Sequence, residues 1–209
     1  MLFQLNILPN DSKLGIWKME EETEKLQSLL SKQCLTDNRF LSFKNEIRKV
    51  EWLCARVLIK ELCGEEKKIE YTDTGKPQLT DKSFKISISH TKNYVAVCLH
   101  PTKEVGIDIE KISDKVLNIK HKFLSEKELS NLDKENINLA ALLHWSAKET
   151  LFKLMPQTGI DFCNHLYIAP FKVKEKGCLE AQESRTNKKE TFKVQYQVFD
   201  DFVLTWCSK

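Results

Sequence analysis

A stretch of helical periodicity followed at once by strand periodicity constrains this chain more than any other feature. In FKNEIRKVEWLCARVLIKELCG, residues 43–64, the side chains Ile47, Val50, Leu53, Cys54, Val57, Leu58 and Leu62 recur at three- and four-residue intervals and so share one face of a helix. Gly64 stands where a helix C-cap belongs, and Arg48 and Arg56 fall on or beside the wetter side. Beyond Gly64 the period becomes two. IEYTDTGKPQLT reads as a strand broken by a turn at 74–77, FKISISHTKNYVAVCLH as a hairpin turning at Lys92 and Asn93, and VGIDIE, residues 105–110, as a further strand. The order is that of a mixed α+β protein.

The rest of the chain extends the pattern. LFQLNIL at the start alternates like a strand ended by Pro9, Asn10 and Asp11, and residues 17–33, with Trp17, Leu26, Leu29 and Leu30, are expected to form an amphipathic helix. NIKHKFLSEKELSNL reads as two helices with a break near Ser125, where Ser125 and Glu128 stand in the capping-box relation. LAALLHWSAKETLFKLM, residues 139–155, is a helix stopped by Pro156, and HLYIAPFKV, TFKVQYQVF and FVLTWC supply three short strands. The Lys/Glu/Gly-rich residues 174–190 are expected to be an exposed loop or a hairpin end, and there is no internal repeat.

At 209 residues and 41% hydrophobic content the chain can bury one large core or two small ones. Thirty-three Lys and Arg against 30 Asp and Glu leave a formal charge of only +3, which argues against a nucleic-acid binder. Seven cysteines, an odd number without a C-x-x-C pair, fit neither a disulfide framework nor a zinc knuckle, so reduced core cysteines are expected. The N-terminal residues lack a basic n-region, and no apolar run reaches the ~20 residues of a membrane span. The expectation is a soluble, cytoplasmic protein without a membrane partner.

Three groups of residues carry chemistry. On a strand, Asp108 and Glu110 project from the same face ~6–7 Å apart, a like-charge pair that calls for a cation or a proton unless it is simply an exposed acidic face. Gly106 on that face leaves room for a ligand. In HWSAKETLFKL the helical wheel puts Trp145, Ala147, Leu151, Phe152, Leu154 and Met155 on an apolar arc and Ser146, Glu149, Thr150 and Lys153 opposite. Lys148 falls inside the apolar arc, where a lysine snorkels out or meets an anion at the core's edge. Glu149 and Lys153, at i and i+4, fit a surface ion pair equally well, and His144 fits a packed core histidine. In ISISH, Ser87 and Ser89 point away from the inward Phe84, Ile86 and Ile88, while His90 enters the turn. His90, and Lys76 in TGKP, each read either as a ligand group or as an ordinary turn residue.

Taken together, TGKP, ISISH, VGIDIE, KFLSEKEL and HWSAKETLFKL resemble the 4′-phosphopantetheinyl transferase superfamily, and within it the longer Sfp-type members. The similarity runs from about Arg48 to about Gly159. It implies two similar α+β halves related by a pseudo-twofold, here residues 1–102 and 103–209, with an active site in the cleft between them. It implies transfer of the 4′-phosphopantetheine group from coenzyme A to a serine of an apo acyl or peptidyl carrier protein, with Mg²⁺ as cofactor and 3′,5′-ADP released, in fatty-acid or secondary-metabolite synthesis and by a monomer. By the same resemblance Asp108, Glu110 and Glu149 are the metal ligands, and Glu149 (with Glu110 in reserve) is the base. Lys148 and Lys153 meet coenzyme A phosphates, Lys153 among the catalytic residues; Lys76, Ser89 and His90, with Arg48, surround the nucleotide and its 3′-phosphate. Trp145 anchors the helix that delivers Glu149, and residues 122–129 lie near the carrier-binding face. The sequence departs from the family after Lys153, where LMPQTGI replaces a glycine-rich turn, and at Phe123 and Leu124, where many members carry two phenylalanines. Two other activities share these residues: Mg²⁺-dependent hydrolysis of nucleotide pyrophosphates, and binding of coenzyme A or a carrier protein without reaction. A P-loop NTPase is disfavoured because G-x-x-x-x-G-K-[ST] is absent.

Overall fold

The computed structural model describes residues 1–8, 11–155 and 159–209. They divide into two compact units, Met1–Glu104 and Val105–Lys209.

The first unit contains β1 (Leu2–Ile7), β2 (Lys13–Lys18), α1 (Thr23–Ser28), α2 (Lys32–Leu35), α3 (Asn38–Ser42), α4 (Glu46–Cys63), β3 (Ile69–Tyr71), β4 (Pro77–Leu79), β5 (Lys85–Thr91) and β6 (Tyr94–His100). A four-stranded antiparallel sheet of order β1-β2-β6-β5 carries α4 on one face, and β3 pairs with β4 as a separate hairpin. The periodic helix forms as its sequence dictates. The Asn45 side chain accepts from the Ile47 and Arg48 amides at its start, and Gly64, at φ +78°, ends it in the left-handed conformation. Gly15 lets α4 approach β2, since a Cβ there would stand 2.7 Å from Leu58.

Four expectations fail in this unit. Residues 17–33 are not one helix: Trp17 lies on β2 opposite Val95, because β2 is an interior strand buried on both faces and strand pairing overrides the weak helical pattern. Arg56 is buried at 6% exposure rather than wet, its guanidinium lying over the Trp52 ring. Ile47 is exposed, whereas Ser87 and Ser89, expected on the outer face of β5, are buried. Pro9 and Asn10 lie outside the described residues.

The second unit contains β7 (Val105–Lys111), α5 (Lys115–Ile119), a 3₁₀ turn at Lys120–Lys122, α6 (Glu126–Ser130), α7 (Ile137–Leu154), α8 (Phe162–His165), β8 (Leu166–Ile168), β9 (Lys176–Glu183), β10 (Thr191–Val198) and β11 (Phe202–Ser208). Its antiparallel sheet runs β7-β11-β10-β9-β8, with α7 packed across β7 and β11. Of the two readings of residues 174–190 the hairpin end is the one that forms: β9, with Leu179 and Ala181 inward between charged and polar residues, turns after Glu183 and pairs with β10. Pro156, taken to stop α7, lies outside the described residues; the helix ends at Leu154.

The wet side expected of helix α7 is only half realised, with Glu149 and Lys153 half-buried there. Ser146 and Thr150 are fully buried, and their hydroxyls meet Thr205 of β11 at 2.9 and 2.6 Å. The space over Gly106 is taken by the helix and not by a ligand: a Cβ there would lie 2.1 Å from the Thr150 carbonyl oxygen. Phe152, placed on the apolar arc by the wheel, is 40% exposed.

Candidate active site

Strand β7 and helix α7 bring the acidic residues of the second unit together. Asp108 stands opposite Thr205 in the β7–β11 register and is buried at 3% exposure. Its Oδ1 accepts from Lys153 Nζ at 2.7 Å, and the same ammonium donates to the Ile107 carbonyl at 3.1 Å. Glu110, two residues along the strand, accepts from the indole N–H of Trp145 at 2.8 Å. Trp145 therefore ties the helix to the strand acid directly. It is held in turn between Phe123 and Phe162, at ring-centroid distances of 5.2 and 5.6 Å.

Glu149 lies one turn before Lys153 and within electrostatic reach of both Asp108 and Glu110. Burial, and then the Asp108 charge, raise its pKa. The same two causes, in the same order, push Glu110 up to about 7. Three carboxylates thus face one nearby ammonium, so two formal negative charges are left over. The i, i+4 surface pair is not what forms, since Lys153 reaches across to the strand.

Among the described residues no three His, Cys, Asp or Glu side chains converge into a ready-made metal cage. The donor set nevertheless suits a hard divalent cation: it is all carboxylate oxygen, and the shortfall of two positive charges is what such an ion supplies. Lys153 holds part of that role by bonding Asp108.

Lys148 is placed differently from the expectation that it meets a coenzyme A phosphate. It is fully buried, and its ammonium donates to the Glu128 carboxylate at 2.7 Å and to the carbonyls of Phe123 and Phe162 at 2.8 and 2.9 Å. All three protons are used, so none is left for a phosphate. A lysine on an apolar helix face has met its anion inside the core. Glu128 completes the expected capping box with Ser125 and also accepts from the Ile168 amide at 2.9 Å. Phe123 and Leu124 are likewise core residues, at 0% and 2% exposure. His144 is buried, with Nδ1 2.7 Å from the Ala140 carbonyl.

In the first unit, folding joins two residues that are 42 positions apart. Arg48 Nη1 lies 2.9 Å from His90 Nε2, and Glu51 sits beside both, at 2.9 Å from Arg48 and 3.4 Å from His90. His90 is on β5 itself, one residue before its end. Lys76 belongs to a different cluster, in which Glu104 accepts from Lys76 at 2.6 Å and Lys85 at 2.8 Å. Sequence reasoning singled out Glu128 only as the capping partner of Ser125, and did not single out Glu51, Glu104 or Thr205 at all. Only Glu51, three residues from Arg48 on a helix, carried a local signal.

Residues 104–207, essentially the whole second unit, match the family model for the 4′-phosphopantetheinyl transferase superfamily. Two Bacillus subtilis proteins are similar to this chain. The 4′-phosphopantetheinyl transferase Sfp is 28% identical over 145 residues and the 4′-phosphopantetheinyl transferase ffp 28% over 147; each alignment covers 64% of this chain and 63% of the relative. The L-aminoadipate-semialdehyde dehydrogenase-phosphopantetheinyl transferase of Xenopus laevis is 26% identical over 134 residues, 53% of this chain and 44% of that protein. The alignments thus span less than two thirds of each relative's length. The chain belongs to the 4′-phosphopantetheinyl transferase superfamily. No described helix is long and apolar enough to cross a membrane.

Proposed function

We propose that this protein transfers the 4′-phosphopantetheine group of coenzyme A to a serine hydroxyl of an apo acyl or peptidyl carrier protein. The observation that carries this reading is the acidic group on β7 and α7, Asp108, Glu110 and Glu149, inside the segment that matches the family. In the transfer the serine oxygen forms a bond to the phosphorus that bears the pantetheine arm. The pyrophosphate P–O bond breaks, 3′,5′-ADP leaves with its electron pair, and the serine proton passes to Glu149, or to Glu110 in reserve. Asp108, Glu110 and Glu149 would hold Mg²⁺, which when bound neutralises charge on the breaking anhydride. Lys153 would exchange its bond to Asp108 for one to a phosphate when the cation binds. Arg48 and His90 form one cationic contact for the nucleotide end and Lys76 a second, with Ser89 nearby on β5. Lys148 takes no part in binding.

Liquid chromatography of the nucleotide products tests this. Coenzyme A and Mg²⁺ with several apo carriers should yield 3′,5′-ADP only in the presence of a carrier. Release without any carrier would point to a pyrophosphate hydrolase, and no release with any carrier to a binding module.

A further inference from the structure

Glu104 ends the first unit, directly before β7, and its carboxylate holds two lysines at once. Oε2 accepts from Lys76 Nζ at 2.6 Å, and Oε1 lies 2.8 Å from Lys85 Nζ. Burial raises the Glu104 pKa, but the hydrogen bonds from the two ammoniums outweigh it and leave the group below the ordinary carboxylate value, ionised at neutral pH. These three residues, with Lys82, Phe84 and Ile86, line a cavity of about 300 Å³. On its wall three ammoniums face one carboxylate, and both ion pairs are made within the wall, so two positive charges are left over. That surplus suits a dianion, and the dianion that the proposed transfer brings to Lys76 is a nucleotide phosphate.

The carboxylate stands in its way. Two acceptors on one ammonium lie within ~6 Å of each other, so a phosphate on Lys76 meets the charge of Glu104 at a distance where like charges repel even in water. The Lys76, Glu104 and Lys85 side chains are 22%, 36% and 50% exposed, and ion pairs this open to solvent are weakly held. Breaking the bond to Lys76 is therefore easy, and Lys85 remains as a partner for the displaced carboxylate.

We propose that Glu104 competes with the nucleotide for Lys76 and so determines how tightly the nucleotide is held. The free protein keeps Lys76 on the carboxylate, and the bound nucleotide leaves Glu104 on Lys85 alone. This rests on the proposed transfer, in which Lys76 meets the nucleotide.

Isothermal titration with 3′,5′-ADP at constant ionic strength compares the wild type with Glu104→Gln, Lys76→Met and the double variant, each shown by thermal unfolding to be folded. Glutamine keeps the shape of Glu104 and removes its charge. Glu104→Gln should bind about threefold tighter or more, and most of that gain should vanish when Lys76 is also replaced. If Glu104 served only to place its lysines, the same variant would lose affinity instead. In the wild type the ¹³C signal of the Glu104 side-chain carboxyl should move as nucleotide is added, a measurement that needs no variant. Equal or weaker binding by folded Glu104→Gln, a gain as large without Lys76, or an unmoved carboxyl signal overturns the inference and leaves the transfer standing. Binding that is undetectable at roughly 1 mM nucleotide in every protein, or unaffected by Lys76→Met, overturns the placing of Lys76 in the proposed function and this inference with it.

Discussion

Lys148 shows how a charged residue on an apolar helix face is stabilised. Its three N–H groups meet Glu128 and two carbonyls with no solvent contact, so the pair behaves as one buried unit. Removing one partner leaves the other charge desolvated. Lys148→Met is therefore expected to destabilise the protein by about 3 kcal/mol or more in urea unfolding, while the doubly apolar pair should recover part of the loss. A change below about 1 kcal/mol, together with a weakened affinity for coenzyme A, would mean that the lysine serves a phosphate after all. His144 gives a second residue-scale expectation. Burial lowers its pKa below the ordinary histidine value, so the folded state holds it neutral where the unfolded chain binds a proton. Its contribution is complete above the unfolded pKa of about 6.5 and is lost as pH falls below it, at up to about 1.4 kcal/mol per pH unit. The unfolding free energy of His144→Leu should depend less on pH than that of the wild type between about 6.5 and 5; equal slopes would contradict this.

At the scale of elements, the position of α7 decides where Glu149 lies. The helix sits close on β7 because Gly106 has no side chain, and it is locked to β11 by the hydroxyls of Ser146, Thr150 and Thr205. Gly106→Ala must push a helix backbone away, at a cost of about 1–3 kcal/mol, and should reduce transfer more than it reduces coenzyme A binding. Unchanged stability in thermal unfolding would show that α7 is not pressed against this strand. Thr205→Val strands the buried Ser146 hydroxyl and leaves that of Thr150 only the Thr205 carbonyl at 3.2 Å, and should cost about 1–3 kcal/mol in the same assay. The elements most legible in the sequence were those with a strong period and a terminator on the page, such as α4 with Asn45 and Gly64, or the β5–β6 hairpin around Lys92 and Asn93. Strand β9 was hidden because its core positions are only Leu179 and Ala181 among charged residues, and residues 17–33 misled because Trp17 belongs to a strand defined by its neighbours. For Trp17 the deciding contact, the pairing with Val95, comes from a distant segment.

For the whole molecule, the motif spacing of the acids and the cations was visible in one dimension, and the family it resembles is the family whose model the second unit matches. What the spacing could not show is which charges satisfy one another. Lys153 bonds Asp108 rather than Glu149, Lys148 is spent on Glu128, and Arg48 meets His90 across 42 residues. The account rests on three acids, from one strand and one helix, acting on coenzyme A as a unit. Intact-mass spectrometry of an apo carrier protein, incubated with coenzyme A and Mg²⁺ and either the wild-type protein or Asp108→Ala, tests that most directly. One added phosphopantetheine with the wild type, and a rate lower by orders of magnitude with Asp108→Ala in a still-folded protein, is the predicted result. No mass gain on any of several apo carriers, or equal modification by the variant, would contradict it.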